Sequence, residues 1–569
     1  MRVIATAGHV DHGKSTLVTA LTGTNPDRWA EERRRGLTID LGFAHLTTPG
    51  GESISFIDVP GHVRFLGNML AGVGGINGCL FVVDAREGWM PQTEEHLRIL
   101  HLTGAPAGVV ALTKADLCDD DDLELAALDV TERVRGTFLA EAAIVPVSAT
   151  TGVGMPQLVT ALENLAKMAP ASPDNHRPRL FVDRVFAAKG SGTVVTGTLC
   201  EGTLAVGDHV EVGPARVPCR IRGVQTLGRA VERIGPGNRV ALNLVGIDHH
   251  EVVRGHCVVV PGTWFHTSRV DARLRVLSSL THKVSRRGAY TVHIGSDEIP
   301  ARLRVIGPES LDPGDVAPVR LHLARPIPLL PGDRFVLRES GRGETIGGGE
   351  ILDVDPVLPA SRATPDDDWR RVVAERGVTT VDELALLTGH RATATVGRWV
   401  VDDARLAARR ADVERRVESA GDEGVDASAF DEFDRALVDG IEALTVVDGR
   451  VRRPGVLDPL LSHPVIDLLR VGGCAPGAPT GIDNGSLRRL VKMGILFERD
   501  GEWFHVDAID TAHAVARALL TEHPTGFTLS QFRDALGITR KHAVPLATEL
   551  DARGITRRRD DVRIAGPRL

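Results

Sequence analysis

The sequence predicts a multidomain protein in which an α/β domain is followed by two antiparallel β-barrels and then by an array of winged-helix domains. Residues 1–170 alternate short apolar runs with helix-length segments, whereas residues 179–356 contain strand-like pieces between turn residues. Residues 364–569 instead repeat short helices followed by a hairpin. The length of 569 residues supports several domains, because a single hydrophobic core stops growing at about 250–300 residues.

The first domain, residues 1–170, is expected to contain a mostly parallel sheet with helices on its faces. The predicted strands are the apolar runs 2–7, 53–59, 79–84, 108–113 and 144–148. Amphipathic helices are predicted for residues 94–103 and 123–141. Three prolines in residues 169–178 then mark a linker.

Antiparallel β structure is predicted for residues 179–356, because Gly, Pro and Asp turn signals recur about every 8–12 residues without a helical period. The stretch 261–269 divides this region into two halves. We therefore expect a first β-barrel at residues 179–263 and a second at residues 267–356. Residues 358–368, which are rich in Pro and Asp, form a second linker.

The C-terminal region is predicted to consist of winged-helix domains, in which helices and a turn precede a two-stranded hairpin. Residues 456–508 and 509–569 show this order clearly and are interpreted as the third and fourth domains. Residues 364–455 show it less clearly, because residues 418–431 interrupt the pattern. They are interpreted as the first and second domains.

Composition excludes several classes of protein. A hydrophobic share of 42% excludes wholesale disorder, and no apolar run reaches the ~18 residues of a membrane span. An apolar strand begins at residue 2, which leaves no room for a signal peptide, so we expect a cytoplasmic protein without membrane association. The six cysteines are scattered without metal-ligand spacing, which predicts inert, mostly buried thiols. A formal charge of −8 argues against a nucleic-acid-binding protein whose whole surface is positively charged.

A phosphate-binding loop is predicted at residues 8–15, GHVDHGKS, which match G-x-x-x-x-G-K-[ST] between a strand and a helix. Backbone N–H groups of such a loop surround phosphate oxygens, and the following helix N-terminus adds a favourable dipole. Lys14 is expected to reach the β- and γ-phosphates, and Ser15 to bind Mg²⁺. The predicted loop contacts are Gly8, His9, Val10, Asp11, His12, Gly13, Lys14, Ser15 and Thr16. Because His9 and His12 belong to this loop, we do not interpret them as a zinc site.

Three further motifs end later strands of the same sheet. Asp58 and Gly61 frame D-V-P-G, which places a carboxylate near Mg²⁺ and an N–H group near the γ-phosphate. Asp116 of T-K-A-D (Thr113, Lys114) is expected to accept two hydrogen bonds from guanine, which adenine cannot donate. A backbone N–H at Ser148-Ala149 is expected to meet guanine O6. Four such motifs in this order predict a GTPase.

These motifs resemble those of the translational GTPases, the group of elongation factor Tu, through GHVDHGKS, RGLTID, DVPGH and TKAD. The resemblance implies that Thr38 binds Mg²⁺ with Ser15, that Asp58 does so through water, and that Asp11 binds a monovalent cation. It further implies that His62 is the catalytic histidine, with Val10 and Leu37 as the apolar pair beside it. Thr113 departs from the usual Asn, which predicts weaker nucleotide binding with unchanged guanine selectivity. The group relies on the ribosome to trigger GTP hydrolysis to GDP.

A narrower resemblance, to the SelB family of selenocysteine-specific elongation factors, covers essentially the full chain. It rests on GLTIDLGFA, GHVRFLGNMLAGVGGI and TKAD, together with the barrels and winged helices. It implies a monomer that carries selenocysteinyl-tRNA to UGA codons marked by an mRNA hairpin, the SECIS element. It also implies that Asp183, Arg184 and Arg239 sense the aminoacyl group, with the guanidinium groups favouring an anionic selenolate. The alternative is that both arginines form structural ion pairs on the barrel surface.

The C-terminal residues are candidates for the mRNA-binding surface. Residues 530–569 contain 9 Lys/Arg and 5 Asp/Glu, a balance of +4 within an acidic chain. Arg540 and Lys541 begin the recognition-like helix, and Arg557, Arg558 and Arg559 lead into the wing. Two basic clusters suit the phosphates that flank an RNA loop. The alternative interpretation is a solvated charged face.

Three other functions remain open from the sequence. The GTPase subunit of a sulfate-activating enzyme shares the plan of a GTPase followed by barrels, but it gives no reason for winged helices. A GTP-sensing DNA-binding regulator would use winged helices. A factor for initiation-like tRNA delivery differs from the favoured function only in the tRNA that it binds.

Overall fold

The structure is a computed structural model that describes residues 2–26, 38–62, 65–72, 75–188 and 192–569. Contacts divide it into two compact units, Met1–Thr393 and Ala394–Leu569. Leu37, expected beside the catalytic histidine, lies outside the described residues. Among the described helices, none combines the length and apolar character needed to cross a bilayer.

The described residues of the first domain form six strands. They are β1 (Arg2–Ala7), β2 (Gly42–Thr47), β3 (Ser53–Asp58), β4 (Gly78–Asp84), β5 (Gly108–Thr113) and β6 (Ile144–Pro146). Their order in the sheet is β2-β3-β1-β4-β5-β6, and β2 alone runs antiparallel to its neighbour. The sequence analysis did not predict β2, because this edge strand is half exposed and has no continuous apolar run.

Five helices in the described part of the first domain accompany the sheet, and apolar clusters fill the space on its two sides. They are α1 (Lys14–Thr22), α2 (Leu66–Gly72), α3 (Pro91–Leu102), α4 (Asp120–Val134) and α5 (Met155–Met168). Helix α4 ends earlier than the predicted residue 141, and Gly136 follows it with a φ of 74°. This left-handed conformation favours glycine and does not continue a right-handed helix.

The first barrel is built from ten strands, some of them short. They are β7 (Arg179–Phe181), β8 (Arg184–Ala188), β9 (Gly192–Cys200), β10 (Leu204–Ala205), β11 (His209–Val212), β12 (Val217–Thr226), β13 (Arg229–Val231), β14 (Arg233–Ile234), β15 (Asn238–Val245) and β16 (Cys257–Val259). The six strands β11-β16-β7-β9-β15-β12 form a closed ring, because β12 also pairs with β11. Alternate residues of these strands point inward and form one apolar core.

The second barrel is also closed, in the order β17-β22-β20-β19-β23-β24. Its strands are β17 (Phe265–Val276), β18 (Val284–Ser285), β19 (Tyr290–Ile294), β20 (Asp297–Val305), β21 (Ser310–Leu311), β22 (Val316–Leu329), β23 (Arg334–Glu339) and β24 (Glu344–Asp353). Strand β17 begins two residues before the boundary expected at residue 267. Its first residues pair with the end of β22 and so belong to the barrel.

Short helices and hairpins make up the remainder of the chain. The first unit ends with α6 (Trp369–Arg376), β25 (Val378–Thr380) and α7 (Val381–Thr388). The second unit contains β26 (Trp399–Val401), α8 (Asp403–Ser419), β27 (Val425–Asp426), α9 (Glu432–Val438), β28 (Thr445–Val447), β29 (Arg450–Arg452), α10 (Pro464–Gly472), α11 (Asn484–Lys492), β30 (Leu496–Arg499), β31 (Glu502–His505), α12 (Asp507–Glu522), β32 (Phe527–Thr528), α13 (Leu529–Leu536), α14 (Arg540–Ala552), β33 (Thr556–Arg559) and β34 (Val562–Ala565). The order of helices α12 to α14 followed by the hairpin β33–β34 is that of a winged helix.

Candidate nucleotide, aminoacyl and RNA sites

The predicted phosphate loop connects β1 to α1 and encloses the ammonium group of Lys14. Lys14 is buried, and its Nζ donates to the carbonyl oxygens of Gly8 at 3.1 Å and His9 at 2.6 Å. Gly8 has a φ of 137°, and a Cβ there would lie 2.1 Å from the carbonyl oxygen of Val82. The sharp turn therefore requires glycine. A buried ammonium group at the start of a helix suits the phosphates of a nucleotide.

Two side chains of α3 that the sequence analysis missed hold this loop in place. His96 Nδ1 accepts a hydrogen bond from the Gly8 N–H at 3.1 Å, and Gln92 Oε1 accepts one from the Val10 N–H at 3.1 Å. Burial lowers the pKa of His96 to about 3, so its ring stays neutral and can accept. Gln92 and His96 are four residues apart and thus share one face of the helix, which was the available signal.

His12 holds the phosphate loop against the end of β4. His12 Nδ1 accepts from the Asp84 N–H at 3.2 Å, and burial lowers the pKa of His12 to about 4. The His9 ring lies beside it, with its centroid 5.1 Å from that of His12. Across the described ranges, the one group of His, Cys, Asp and Glu ligand atoms close enough to share a metal lies elsewhere, at residues 248–250.

Oxygen atoms of all three predicted Mg²⁺ residues meet beside the loop. Ser15 Oγ lies 2.8 Å from Thr38 Oγ1 and donates to Asp58 Oδ2 at 2.7 Å. Thr6 Oγ1 donates to the other carboxylate oxygen of Asp58 at 2.7 Å. Hydroxyl and carboxylate oxygens are the ligands that Mg²⁺ prefers. These residues fit a magnesium ion bound next to the phosphate loop.

The segment after β3 lies against the same loop. A Cβ at Gly61 would be 2.6 Å from Lys14 Nζ and 2.7 Å from the backbone N of Val10, so only glycine fits this approach. The ring of His62 follows directly and lies with its centroid 5.9 Å from that of Phe65. Asp11 has a φ of 64° and is exposed on the loop, as is Thr16 at the start of α1.

The predicted guanine-binding residues follow β5 and β6. The hydroxyl of Thr113 donates to the carbonyl oxygen of His12 at 2.7 Å, so it connects this strand to the phosphate loop. The hydroxyl thus provides a supporting hydrogen bond at the position where the family has an amide. Lys114 has a φ of 57°, and its Nζ lies 2.5 Å from Asp84 Oδ2. Asp116 is exposed and its carboxylate is therefore accessible to a base.

The loop after β6 is fixed next to Asp116. Ser148 is buried and its Oγ accepts from the Thr151 N–H at 3.1 Å, while Ala149 is half-buried. The Ala115 N–H donates to the carbonyl oxygen of Val147 at 3.2 Å, which joins the two loops. The structure thus places the base-recognition motifs on neighbouring strand ends.

In the first barrel, Asp183 and Arg239 form a tight ion pair. Arg239 donates from Nη1 to Asp183 Oδ2 at 2.6 Å and from Nη2 to Asp183 Oδ1 at 2.9 Å. Thr196 Oγ1 donates to the same carboxylate at 2.7 Å. The bidentate geometry fixes the plane of the guanidinium group. The ion pair considered as an alternative from the sequence is therefore present for Arg239, which also lines a cavity.

Phe43 of β2 completes this cavity and was missed by the sequence analysis. The guanidinium carbon of Arg239 lies 3.5 Å from the centroid of the Phe43 ring, and that of Arg184 lies 4.2 Å away. Both distances are in the range of cation–π interaction. The cavity has a volume of about 400 Å³ and is lined by Phe43, Arg184, Phe186, Thr196, Gln225 and Arg239, among others. It therefore lies between the first domain and the first barrel.

Arg254 strengthens the connection between these two domains. Its Nη2 donates to Asp40 Oδ1 at 2.5 Å, and its Nε donates to the carbonyl oxygen of Asp183 at 2.9 Å. Arg184 Nε lies 3.7 Å from the other oxygen of Asp40. Asp40 follows Thr38 by two residues. One short segment therefore connects a predicted Mg²⁺ residue with an arginine, Arg184, that lines the cavity.

The basic residues proposed from the C-terminal sequence are all exposed. Arg540 and Lys541 begin α14, and Arg557, Arg558 and Arg559 lie on β33. Lys541 Nζ lies 3.0 Å from Glu502 Oε1, an ion pair that the sequence did not indicate. Successive residues of β33 alternate between the two faces of the hairpin, so these three arginines do not share one face.

Family models match three parts of the chain. Residues 1–168 match the elongation factor Tu GTP binding domain. Residues 268–357 match the β-barrel domain of selenocysteine-specific elongation factor, and residues 518–565 match the winged helix of elongation factor SelB.

Curated relatives agree with these matches. The chain is 40% identical over 400 residues to the selenocysteine-specific elongation factor of Desulfomicrobium baculatum, covering 68% of this chain and 63% of that protein. It is 34% identical over 385 residues to elongation factor Tu 2 of Streptomyces avermitilis, covering 62% of this chain and 96% of that protein. The chain belongs to the elongation factor Tu family, and its second barrel and C-terminal winged helix match the models of selenocysteine-specific factors. It spans less than two thirds of the length of the Desulfomicrobium protein.

A solved structure of a selenocysteine-specific elongation factor is similar along the whole chain. The crystal structure of bacterial selenocysteine-specific elongation factor EF-Sec has a TM-score of 0.75 and 27% identity, with 99% of both chains covered. The predicted fold class, a GTPase domain followed by two antiparallel barrels and winged-helix structure, is thereby confirmed.

Proposed function

We propose that the chain is a GTP-dependent elongation factor that binds selenocysteinyl-tRNA and delivers it to ribosomes in the cytoplasm. The observation that carries the proposal is the cavity lined by Arg184 and Arg239 beside Phe43. A selenol ionises far more readily than the hydroxyl of serine, so a selenocysteinyl ester presents an anion. Two guanidinium groups stabilise that anion and gain nothing from the neutral seryl group.

GTP hydrolysis is proposed to use the residues around the phosphate loop. Lys14 binds phosphate oxygens, and Asp116 selects guanine over adenine. Mg²⁺, when bound by Ser15, Thr38 and Asp58, supplies positive charge to the phosphate groups. His62 orients the attacking water, and Asp11 binds a monovalent cation. Since these residues mainly position groups, hydrolysis stays slow until the ribosome places His62 correctly.

A coupling between GTP and tRNA follows from the position of Asp40. Asp40 pairs with Arg254 and lies 3.7 Å from Arg184, two residues after Thr38. Ordering of Thr38 by bound GTP therefore fixes the wall of the aminoacyl cavity that Phe43 provides. This gives a physical reason for tight tRNA binding in the GTP form only.

The C-terminal winged helix is proposed to bind the SECIS hairpin of an mRNA beside a UGA codon. Arg540 and Lys541 at the start of α14, with Arg557, Arg558 and Arg559 on β33, provide exposed cations for phosphates and for stacking on an unpaired base. The protein is proposed to act as a monomer. Its hairpin contacts recruit the tRNA-bound factor to one message.

Sequencing of the RNAs retained by the full chain tests this function. The protein is loaded with a non-hydrolysable GTP analogue or with GDP and mixed with total cellular RNA. We expect one tRNA species, that for selenocysteine, and one class of mRNA hairpin to be enriched, the tRNA only with the GTP analogue. Enrichment of initiator tRNA, or of no tRNA, would contradict the proposal.

A further inference from the structure

Asp84, the last residue of β4, lies inside the first domain and contacts two parts of the nucleotide site. It is only 1% exposed, although it belongs to none of the sequence motifs. Its Oδ2 lies 2.5 Å from the ammonium group of Lys114, and its N–H donates to His12 Nδ1 at 3.2 Å. One buried residue therefore joins the base-recognition segment to the phosphate loop.

The two carboxylate oxygens of Asp84 have different partners. Oδ1 accepts from the N–H groups of Arg86 at 2.9 Å and Glu87 at 3.4 Å, so it holds the turn that follows β4. Oδ2 pairs with Lys114. Burial acts to raise the pKa of this carboxyl group, but Lys114 and the two N–H groups outweigh burial and lower the pKa. Asp84 is therefore charged at neutral pH.

Lys114 has a backbone conformation that few residues adopt. Its φ of 57° and ψ of 31° lie in the left-handed region, at the start of a helical turn over residues 115–117. Residues other than glycine occupy this region rarely, and such strain is found mainly at functional sites. The ion pair with Asp84 fixes the far end of the same side chain. Both ends of the Lys114 side chain are therefore held in place.

The alkyl stem of Lys114 spans the space between the two halves of the site. Asp116, which is proposed to bind guanine, follows Lys114 by two residues. The ammonium group lies at Asp84, whose N–H is bound to His12 of the phosphate loop. A nucleoside with its base at Asp116 and its phosphates on the loop packs against this stem. The position of the ammonium group therefore determines how well the stem covers the nucleoside.

Thr113 explains why this connection matters in the present chain. Thr113 stands in place of the usual Asn, and its hydroxyl, which has one proton to donate, binds the His12 carbonyl oxygen at 2.7 Å. An amide side chain has two donors and an acceptor and can connect more groups. Asp84 supplies further connections between the same segments, through His12 and through Lys114.

We propose that Asp84 is a positioning residue that holds Lys114 against the bound nucleoside and thereby sets the rates at which GTP and GDP leave the site. This inference rests on the proposed function, in which tRNA stays bound only as long as GTP does. Asp84 does not touch the nucleotide itself and acts through Lys114. Selection of guanine over adenine stays with Asp116.

Asp84→Asn in the full chain separates the two roles of the carboxylate. Asparagine has nearly the same shape and keeps an oxygen acceptor for the Arg86 and Glu87 N–H groups, but it cannot form an ion pair with Lys114. Dissociation of fluorescent GDP and of a fluorescent, non-hydrolysable GTP analogue is measured by stopped flow. We expect both nucleotides to leave about tenfold faster, since a charge-assisted contact is lost. The preference for GTP over ATP should not change.

A double-mutant cycle with Lys114→Met shows whether Asp84 acts through Lys114. Methionine keeps an apolar stem without the charge, so K114M should also release nucleotide faster than the wild type. Addition of D84N to K114M should then change the rates by less than about twofold. The same tenfold factor in both backgrounds would assign Asp84 a purely structural role in the turn and would overturn the inference.

Thermal unfolding of the four proteins provides a second measurement. K114M leaves a buried carboxylate without its partner, which is strongly destabilising, whereas the double variant leaves no buried charge there. The midpoint of unfolding should therefore be lower for K114M than for D84N/K114M. Equal midpoints would show that the ion pair is not formed in solution and would overturn the inference.

Glu163→Gln is the matched control. Glu163 of α5 is also a carboxylate of the first domain that pairs with a lysine, Lys167, and it accepts the Gly50 N–H at 3.1 Å. It lies outside the nucleotide motifs, so its replacement should leave both dissociation rates unchanged.

Three outcomes decide between the inference and the proposed function. Wild-type dissociation rates in D84N would overturn the inference and leave the proposed function intact. Faster release together with a lost preference for GTP over ATP would assign Asp84 to recognition of the base, which also overturns the inference. A wild-type chain that binds neither GTP nor GDP would overturn the proposed function and the inference together.

Discussion

Arg239 donates two hydrogen bonds to the carboxylate of Asp183, at 2.6 and 2.9 Å, while its guanidinium plane packs over the ring of Phe43. The ion pair orients Arg239, and Arg184 places a second guanidinium group over the same ring. Asp183 comes from the first barrel and Phe43 from the first domain. Arg239, which is proposed to select the amino acid, therefore also contacts the first domain through Phe43.

Arg239→Lys tests this arrangement. Lysine keeps the charge but cannot form the planar, bidentate contact with Asp183. We expect the preference for selenocysteinyl- over seryl-tRNA to fall about tenfold, with unchanged GTP binding. Equilibrium binding of both tRNAs measures the effect. Arg222→Gln, an exposed position of the same barrel that does not line the cavity, is the control and should retain the preference.

His62→Ala tests the catalytic assignment. Since His62 is proposed to position the attacking water, its loss should slow ribosome-stimulated GTP hydrolysis by about 100-fold or more. Nucleotide affinity should stay the same, because Lys14, Asp58 and Asp116 are untouched. Single-turnover hydrolysis with and without ribosomes gives both quantities. Equal stimulated rates in variant and wild type would refute the assignment.

Acid sensitivity of the phosphate loop follows from His96. Burial lowers its pKa from 6.5 to about 3, so the unfolded chain binds more protons than the folded one at any pH between these values. The free energy of unfolding should therefore fall as the pH drops below 6.5, with a contribution from His96 of about 1 kcal/mol per pH unit. Denaturant unfolding at pH 7, 6 and 5 measures it.

His96→Asn provides the comparison for this pH effect. Asparagine keeps an acceptor for the Gly8 N–H but does not titrate, so the loss of stability between pH 7 and pH 5 should be smaller than in the wild type. A slope that His96→Asn does not reduce would show that this ring is not the acid-sensitive group.

One ion pair at the start of α14, the helix proposed to bind the mRNA hairpin, yields a prediction. Arg540→Ala should weaken hairpin binding and reduce its salt slope by about one. Lys541 is paired with Glu502 at 3.0 Å, so Glu502→Gln should free its charge and strengthen hairpin binding. When Lys541 is also replaced by Ala, Glu502→Gln should no longer strengthen hairpin binding. Salt titrations of hairpin binding by these variants decide whether this end of α14 faces the RNA.

The meeting of Ser15 with Asp58 was predictable, because both lie in short motifs that end strands identified by the apolar pattern. Thr38 precedes the unpredicted strand β2, so only the resemblance to the translational GTPases indicated its place beside Ser15. Phe43 was not predictable, because it lies on an antiparallel edge strand and contacts the arginines of another domain. The Lys541–Glu502 pair likewise joins residues whose distance no local pattern specifies.

The two side chains that hold the phosphate loop were partly predictable from the sequence. Gln92 and His96 occupy one face of α3, a spacing visible in the sequence, but the N–H groups that donate to them belong to the backbone of a distant loop. At Thr113 the sequence indicated only the loss of the usual amide. In the structure, the Thr113 hydroxyl donates a hydrogen bond to the His12 carbonyl oxygen at that position.

The central claim is that GTP and an anionic amino acid together determine tRNA binding. The most direct measurement is the dissociation constant of the full chain for selenocysteinyl-tRNA and for seryl-tRNA on the same tRNA body, each with a GTP analogue and with GDP. The account predicts tight binding only for selenocysteinyl-tRNA with the GTP analogue. Equal affinities for the two aminoacyl-tRNAs in the GTP form would contradict it.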